Sequence, residues 1–285
     1  MSAATEAEAK DTANSEKSWV AASSVAAAIV LTGGKLVVGF ATNSLGILSE
    51  AAHSGLDLVA AVVTLWAVRA SGRPPDRDHT YGHGKIENLS ALFETVLLLL
   101  TCVWIVWEAL HRLLGAEQVH VDPSAWAFGV VILSIIIDFS RSRALQRVAE
   151  KYDSQALEAD ALHFSTDIWS SAVVLVGLVA VRVGEAYRLP WLSAADAVAA
   201  LGVALIVVWV SLRLARKSID ALLDRVPADL PERVARAALV AGVREVRQVR
   251  VRRVGPDHFA DLTLAAEPDA GLERVGRGCA RGAWQ

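Results

Sequence analysis

The chain contains apolar runs long enough to cross a lipid bilayer. Six segments have room for the roughly 20 residues that a spanning helix needs. They lie near 18–42, 46–70, 88–114, 124–145, 156–183 and 192–213. The runs "AFGVVILSIII" and "AALGVALIVVWV" are apolar on every face. A soluble bundle of buried helices, the alternative, would show a polar stripe at helical spacing. The sequence therefore predicts an all-α membrane domain of six transmembrane helices over residues 18–213.

The two ends of the chain differ from this domain. Residues 1–17 are polar and carry four acidic side chains, so we expect a solvated tail and not a signal peptide. Residues 214–285 predict a linker and a small cytoplasmic α+β domain. In it, "VPADLPERVARAALVAGV" is typical of a helix, and "VRQVRVRRV" and "HFADLTLAAE" of two strands joined by a "GPD" turn.

Charge asymmetry predicts the orientation in the membrane. Basic residues cluster in the connections after the second, fourth and sixth segments, while "ATNSL" on the opposite side has none. By the positive-inside rule both termini are cytoplasmic. We expect an integral membrane protein of the bacterial inner (plasma) membrane. The formal net charge of −3 gives no reason to expect nucleic acid as a partner, and Cys102 and Cys279 suggest no disulfide framework.

Ionisable side chains interrupt two of the apolar segments at the same spacing. His53 and Asp57 are four residues apart in the second segment, and His163 and Asp167 repeat the spacing in the fifth. On a helix each pair shares one face. A carboxylate near the bilayer centre is unfavourable by roughly 3 kcal/mol, so it needs a partner or a function. Two imidazoles and two carboxylates suit a tetrahedral divalent metal, above all zinc.

Other interpretations of these pairs remain open. Each His and Asp could form hydrogen bonds only within its own helix, although the recurrence of the pair favours metal. A membrane-embedded metalloenzyme is disfavoured because all four residues are metal ligands, which leaves neither an open position nor a general base. A non-transporting metal-binding subunit is a further alternative. Elsewhere, Asp138 is expected to pair with Arg141, and Lys35 and Glu94 are candidates for an interhelical pair.

A second cluster lies in the connection after the second segment, within "DRDHTYGHGKIEN". Asp76, His79 and His83 are close in sequence, and the alternative is an ordinary polar loop. Gly82 and Gly84 flank His83, which indicates a tight backbone path.

The stretches "HSGLD", "DRDHTYGHGKIENL" and "HFSTD" resemble the cation diffusion facilitator family of metal exporters, and "RRVGPDHFADLTL" is similar to its strand–turn–strand. The resemblance implies a homodimer of six-helix protomers that exports divalent metal from the cytoplasm in exchange for protons. It implies a transport site of His53, Asp57, His163 and Asp167, with Zn²⁺ as the transported substrate. Exchange is physically reasonable because metal and protons compete for the same ligands.

The resemblance also implies a loop site at Asp76, His79 and His83, which could hold a Zn²⁺ ion, and a salt bridge between Lys85 and Asp224 near the dimer interface. Iron, cobalt or cadmium are the alternative substrates. The last domain departs from the family, because Arg247 and Thr263 stand where family members with metal there have His. We expect this domain to be shortened, without its second helix and last strand, and to bind no zinc.

Overall fold

The computed structural model describes residues 3–42, 45–113, 125–187, 192–240 and 242–267. Seven helices and two strands are present in these ranges. They are α1 (Ala3–Thr42), α2 (Leu45–Ser71), α3 (Lys85–Leu113), α4 (Ala125–Tyr152), α5 (Gln155–Tyr187), α6 (Leu192–Leu222), α7 (Leu230–Ala238), β1 (Val243–Val254) and β2 (Asp257–Ala266). Each of the six expected apolar segments overlaps one of the first six helices.

The six long helices pack in pairs. α1 packs against α2, α3 against α6 and α4 against α5, and α5 also contacts α2, α3 and α6. The largest buried cluster joins α1, α2, α4 and α5 around Phe164, Leu145, Leu157 and Val68, all of which are almost fully buried. This cluster fixes the relative position of α2 and α5, the two helices that carry the His–Asp pairs.

Large apolar side chains also cover the outside of the bundle. Phe40, Trp66 and Trp209 are all more than half exposed. Within the described residues, three helical stretches are long and apolar enough to cross a membrane, Glu8–Ala41, Ala51–Ser71 and Lys85–Trp104. An outer surface of this kind fits a lipid environment, where apolar side chains face acyl chains. The described parts of α4, α5 and α6 do not meet the same criterion.

The expected boundaries of the membrane domain both fall inside helices. α1 runs without a break from Ala3, so the stretch expected to be a solvated tail is helical. Its side chains are held by tertiary contacts: the buried Lys17 donates to Glu87 at 2.8 Å, and Lys10 donates to Asp257 at 2.5 Å. At the other boundary, α6 continues past residue 213 to Leu222.

The two strands form an antiparallel hairpin, as expected. Val254 pairs with Asp257, and Gly255, with φ of +63°, makes the turn between them. Arg253 donates to Asp153 in the α4–α5 turn at 2.6 Å, so the hairpin lies against the same end of the bundle as the α2–α3 connection. We call this the loop end of the bundle. The second helix and last strand that we expect to be missing would follow residue 267, so this expectation concerns residues outside the described ranges.

Candidate functional site

Two His–Asp pairs meet between α2 and α5. His163 Nε2 lies 3.1 Å from Asp57 Oδ1 and 3.7 Å from Asp167 Oδ2. On the other side of the site, His53 Nε2 lies 3.8 Å from Asp167 Oδ1. The helix spacing places each pair on one face, and helix packing brings together residues that are 106 positions apart. We call these four residues the α2–α5 cluster.

The cluster has the donors that a divalent metal needs. Ligand atoms of His53, Asp57 and Asp167 all lie within 4.8 Å of one another. His163 is not part of that three-residue group, but it contacts both carboxylates. Among the described residues, neither Asp167 Oδ2 nor His163 Nδ1 has a hydrogen-bond partner, although both atoms are buried. Two carboxylates balance the charge of a divalent ion, and mixed nitrogen and oxygen donors suit zinc.

The loop cluster of Asp76, His79 and His83 also assembles, near the surface. His79 Nδ1 lies 3.1 Å from Asp76 Oδ1, and His83 Nε2 lies 3.3 Å from Asp76 Oδ2. The two imidazole rings are 4.4 Å apart between centroids. Ligand atoms of the three residues again lie within 4.8 Å of one another. This cluster is formed by local chain geometry and not by helix packing.

Backbone groups shape the loop cluster. The N–H of His79 donates to Asp76 Oδ1 at 2.6 Å, and the N–H of Asp78 donates to the same oxygen at 3.0 Å. These donors, above all the His79 N–H, lower the pKa of the Asp76 carboxyl, which is therefore ionised near neutral pH. Gly82 has φ of +80°, and its N–H donates to the His79 carbonyl at 2.9 Å. The tight path expected around His83 is therefore present, and a glycine provides it.

Comparison with known proteins decides the family. The family model described as the cation efflux transmembrane domain matches residues 21–223. This chain belongs to the cation diffusion facilitator family. An uncharacterized transporter of Methanocaldococcus jannaschii is 33% identical over 230 residues, which cover 80% of this chain and 78% of the relative. The cation-efflux pump FieF of Pectobacterium atrosepticum is 29% identical over 249 residues, or 86% and 79% of the two chains. FieF of Salmonella paratyphi A is 28% identical over 257 residues, or 89% and 81%.

Membership of the family settles the general activity. The protein is a membrane transporter that exports metal cations, and it is not an enzyme. Divalent metal ions are its substrates. A cation-efflux protein needs a cation site within its membrane domain, and the α2–α5 cluster lies between two helices of the matched region.

Arg141 stacks on Phe164 beside the α2–α5 cluster, and no pattern in the sequence predicts this cationic stack. The His163 ring meets the Phe164 ring edge-on, and the Arg141 guanidinium lies 3.5 Å from the centroid of Phe164. Arg141 also donates to Asp138 at 3.3 Å, which is the expected pairing at three residues, and to Ser24 on α1 at 3.0 Å. The stack ties α1, α4 and α5 together next to His163, and only the Asp138 contact could be read from local spacing.

Two further buried charges, Lys35 and Glu94, have hydroxyl partners. Lys35 on α1 donates to Ser54 at 2.7 Å, next to His53 in the chain. Thr64 on α2 donates to Glu94 on α3. Both candidates for an interhelical pair are therefore engaged by hydroxyl groups from α2. Glu50 lies three residues before His53, but its side chain lies outside the described residues.

The loop cluster lies against the β hairpin, which the sequence did not predict. Gly84 is so close to the hairpin that a Cβ atom there would lie 2.7 Å from the carbonyl oxygen of Val254. The Tyr81 ring meets Phe259 edge-on, with centroids 5.3 Å apart, and Arg252 lies 3.6 Å from the centroid of Tyr81. Residues between and after the loop ligands therefore contact the hairpin directly.

The expected salt bridge also forms, within the single chain. Lys85 Nζ lies 2.8 Å from Asp224 Oδ1 and donates to the Leu222 carbonyl at 3.2 Å. These contacts join the start of α3 to the end of α6. Asp224 has φ of +60°, an unusual backbone conformation for a residue other than glycine. Lys85 lies two residues after His83, the last residue of the loop cluster.

Proposed function

We propose that this protein exports zinc from the cytoplasm in exchange for protons, and that the ion binds to His53, Asp57, His163 and Asp167. The observation that carries this proposal is the convergence of the two His–Asp pairs between α2 and α5. The ligand set supports zinc because imidazole nitrogen favours zinc over hard ions such as Mn²⁺ and Mg²⁺. Iron, cobalt and cadmium are the alternative substrates, since imidazole and carboxylate also bind them.

Protons are the proposed counter-ion. A metal displaces protons from its ligands when it binds, and an imidazole titrates in the physiological range. Arrival of protons on His53 and His163 from the other side of the membrane would therefore favour release of the metal there. Alternating access would require α2 and α5 to move relative to their neighbours, which is typical of transporters with a site near the bilayer midplane.

The basic side chains at the loop end support an orientation. In this proposal the loop end faces the cytoplasm, all six long helices span the bacterial inner (plasma) membrane, and both termini are cytoplasmic. The basic residues in the loop-end connections and in the helix ends beside them are Arg69, Arg73, Arg77, Lys85, Arg143, Arg147, Lys151, Arg213, Arg216 and Lys217. We also propose a homodimer in which the Lys85–Asp224 salt bridge lies near the interface, as the family resemblance implies.

Reconstitution into lipid vesicles tests the proposal. A zinc-sensitive dye and a pH-sensitive dye inside the vesicles report the movement of both ions after zinc is added outside. We expect zinc to enter and protons to leave, with empty vesicles showing neither signal. Zinc entry without proton movement would reject exchange, and faster entry of iron, cobalt or cadmium than of zinc would reject the zinc preference.

A further inference from the structure

A column of buried polar side chains connects the α2–α5 cluster to the loop end. On α2, Thr64 lies seven residues after Asp57 and Ser71 seven residues further, so all three share one face at intervals of about 10 Å. On α3, Glu87 and Glu94 are also seven residues apart. These two helix faces meet, because Ser71 donates to Glu87 at 2.8 Å and Thr64 donates to Glu94.

The two glutamates differ in how their charge is balanced. Glu87 accepts hydrogen bonds from Lys17 at 2.8 Å, from Ser71 and from Ser154, so a buried ammonium group neutralises it. Glu94 is just as buried, with 1% of its surface exposed. In the described part of the chain, no basic side chain forms an ion pair with it, and its Oε2 atom has no hydrogen-bond partner.

Helix α5 carries a second buried carboxylate with an unpartnered oxygen atom, Asp160. Asp160 is fully buried, and it lies three residues before His163, which is about one helical turn nearer the loop end. Its Oδ2 atom accepts a 3.5 Å hydrogen bond from Ser24, while its Oδ1 atom has no hydrogen-bond partner among the described residues. The helices that carry Glu94 and Asp160 pack against each other, and Ala91 of α3 and Ala159 of α5 share one buried cluster.

Arg141 carries the fixed positive charge near Asp160, and several groups share it. The Arg141 guanidinium donates to Asp138 and to Ser24, and Ser24 in turn donates to Asp160. A buried carboxylate that lacks a partner is strongly unfavourable, and a second one on a neighbouring helix adds repulsion. One carboxylate oxygen of each residue is therefore open to a positively charged ligand.

We propose that Glu94 and Asp160, with the hydroxyl oxygens of Thr64 and Ser24, form a second cation-binding position between the loop end and the α2–α5 cluster. This inference rests on the proposed function, in which the divalent ion enters from the loop end and must cross this depth to reach His163. The position offers oxygen atoms only. It therefore binds divalent ions by charge and favours hard ions such as Mn²⁺, whereas both His-containing clusters favour softer ones.

Binding of Mn²⁺ to the full-length protein in lipid nanodiscs tests the proposal. Electron paramagnetic resonance reports the free ion, and the bound fraction follows by difference. We expect Glu94→Gln and Asp160→Asn each to remove about one bound Mn²⁺ per chain, since each deletes a carboxylate ligand but preserves side-chain shape. We expect Glu94→Asp, which retains the carboxylate, to retain binding. Asp138→Asn is the matched control, because Arg141 already pairs with that buried carboxylate, and it should leave the bound Mn²⁺ unchanged.

Zinc flux separates this inference from the proposed function. We expect Glu94→Gln to raise the zinc concentration for half-maximal flux by about tenfold and to retain the maximal rate. Unchanged Mn²⁺ binding in both Glu94→Gln and Asp160→Asn would overturn the second position. A shift in the pH dependence of flux with unchanged Mn²⁺ binding would also overturn it, and would make Glu94 a proton acceptor. Normal zinc flux in Asp57→Asn would instead overturn the α2–α5 transport site, whatever the result at Glu94.

Discussion

The two His–Asp clusters use the same side chains in different environments, although one histidine of each departs from its cluster: His53 is 32% exposed and His83 is 11% exposed. In the α2–α5 cluster the side chains of His163, Asp57 and Asp167 are 6–14% exposed, and the donors come from helices that are distant in the sequence. In the loop cluster Asp76 and His79 are about half exposed and come from eight consecutive residues. Water and backbone N–H groups can satisfy the loop carboxylate, whereas the buried carboxylates have imidazole nitrogens beside them and, in the proposed function, a bound ion. Function should therefore depend much more on the buried cluster.

Removing a buried carboxylate gives the largest expected effect. We predict that Asp57→Ala or Asp167→Ala lowers zinc flux in vesicles by about 100-fold or more, because it deletes a ligand and half of the charge that balances the ion. Asp76→Ala is the matched change in the loop cluster, and it should stay within about threefold of wild type, as expected for an exposed site. Membrane insertion of each variant is checked by its yield and elution profile. Near-normal flux in either buried variant would contradict the four-ligand site.

Changing a ligand without deleting it sharpens the comparison. His53→Asp replaces an imidazole by a carboxylate in the buried cluster, which favours harder ions. We predict that the ratio of Mn²⁺ or Fe²⁺ flux to Zn²⁺ flux rises by about tenfold. His79→Asp makes the same replacement in the loop cluster and should leave this ratio unchanged. An equal shift in both variants would mean that selectivity is not set between α2 and α5.

Local patterns in the sequence predicted the parts of both sites that lie within one element. The spacing of His53 with Asp57, and of His163 with Asp167, depends only on helical periodicity, and the hairpin depends on alternation and a turn. Contacts between distant elements could not be predicted in this way. The Lys17–Glu87 ion pair, which holds a polar stretch expected to be a tail, joins residues 70 positions apart. The stack of Arg141 on Phe164 and the contact of Gly84 with Gly255 likewise depend on tertiary packing.

Acidification should weaken metal binding to the loop cluster, because protons compete with the metal for its imidazole ligands. An ordinary imidazole takes up a proton between about pH 7 and 5.5, and the metal must then displace it. The lowered pKa of Asp76 contributes stability above the ordinary carboxyl value of about 3.9, and that contribution is lost only as the pH falls through the lower folded value. Asp76 therefore stays ionised throughout this window.

Calorimetry in buffers of different ionisation enthalpy measures the protons released on binding. We predict that Zn²⁺ titration of the loop cluster, in a chain with Asp57→Ala, releases more protons at about pH 6 than at about pH 7.5. Asp76→Asn should weaken binding without changing this difference. Equal proton release at the two pH values would exclude the imidazoles as the groups that titrate.

The smallest expected effect concerns the contact between the loop cluster and the hairpin. A Cβ atom at Gly84 would lie 2.7 Å from the Val254 oxygen and 3.0 Å from the Gly255 nitrogen, and these are backbone atoms that cannot rotate away. We predict that Gly84→Ala weakens hairpin docking by about 1–3 kcal/mol, with faster hydrogen exchange in β1 and β2 and little change in zinc flux. Gly33→Ala is the control, since nothing lies within 4 Å of its added methyl group. Unchanged exchange in Gly84→Ala would mean that the hairpin is held by its other contacts, chiefly those of Arg253 and Lys10.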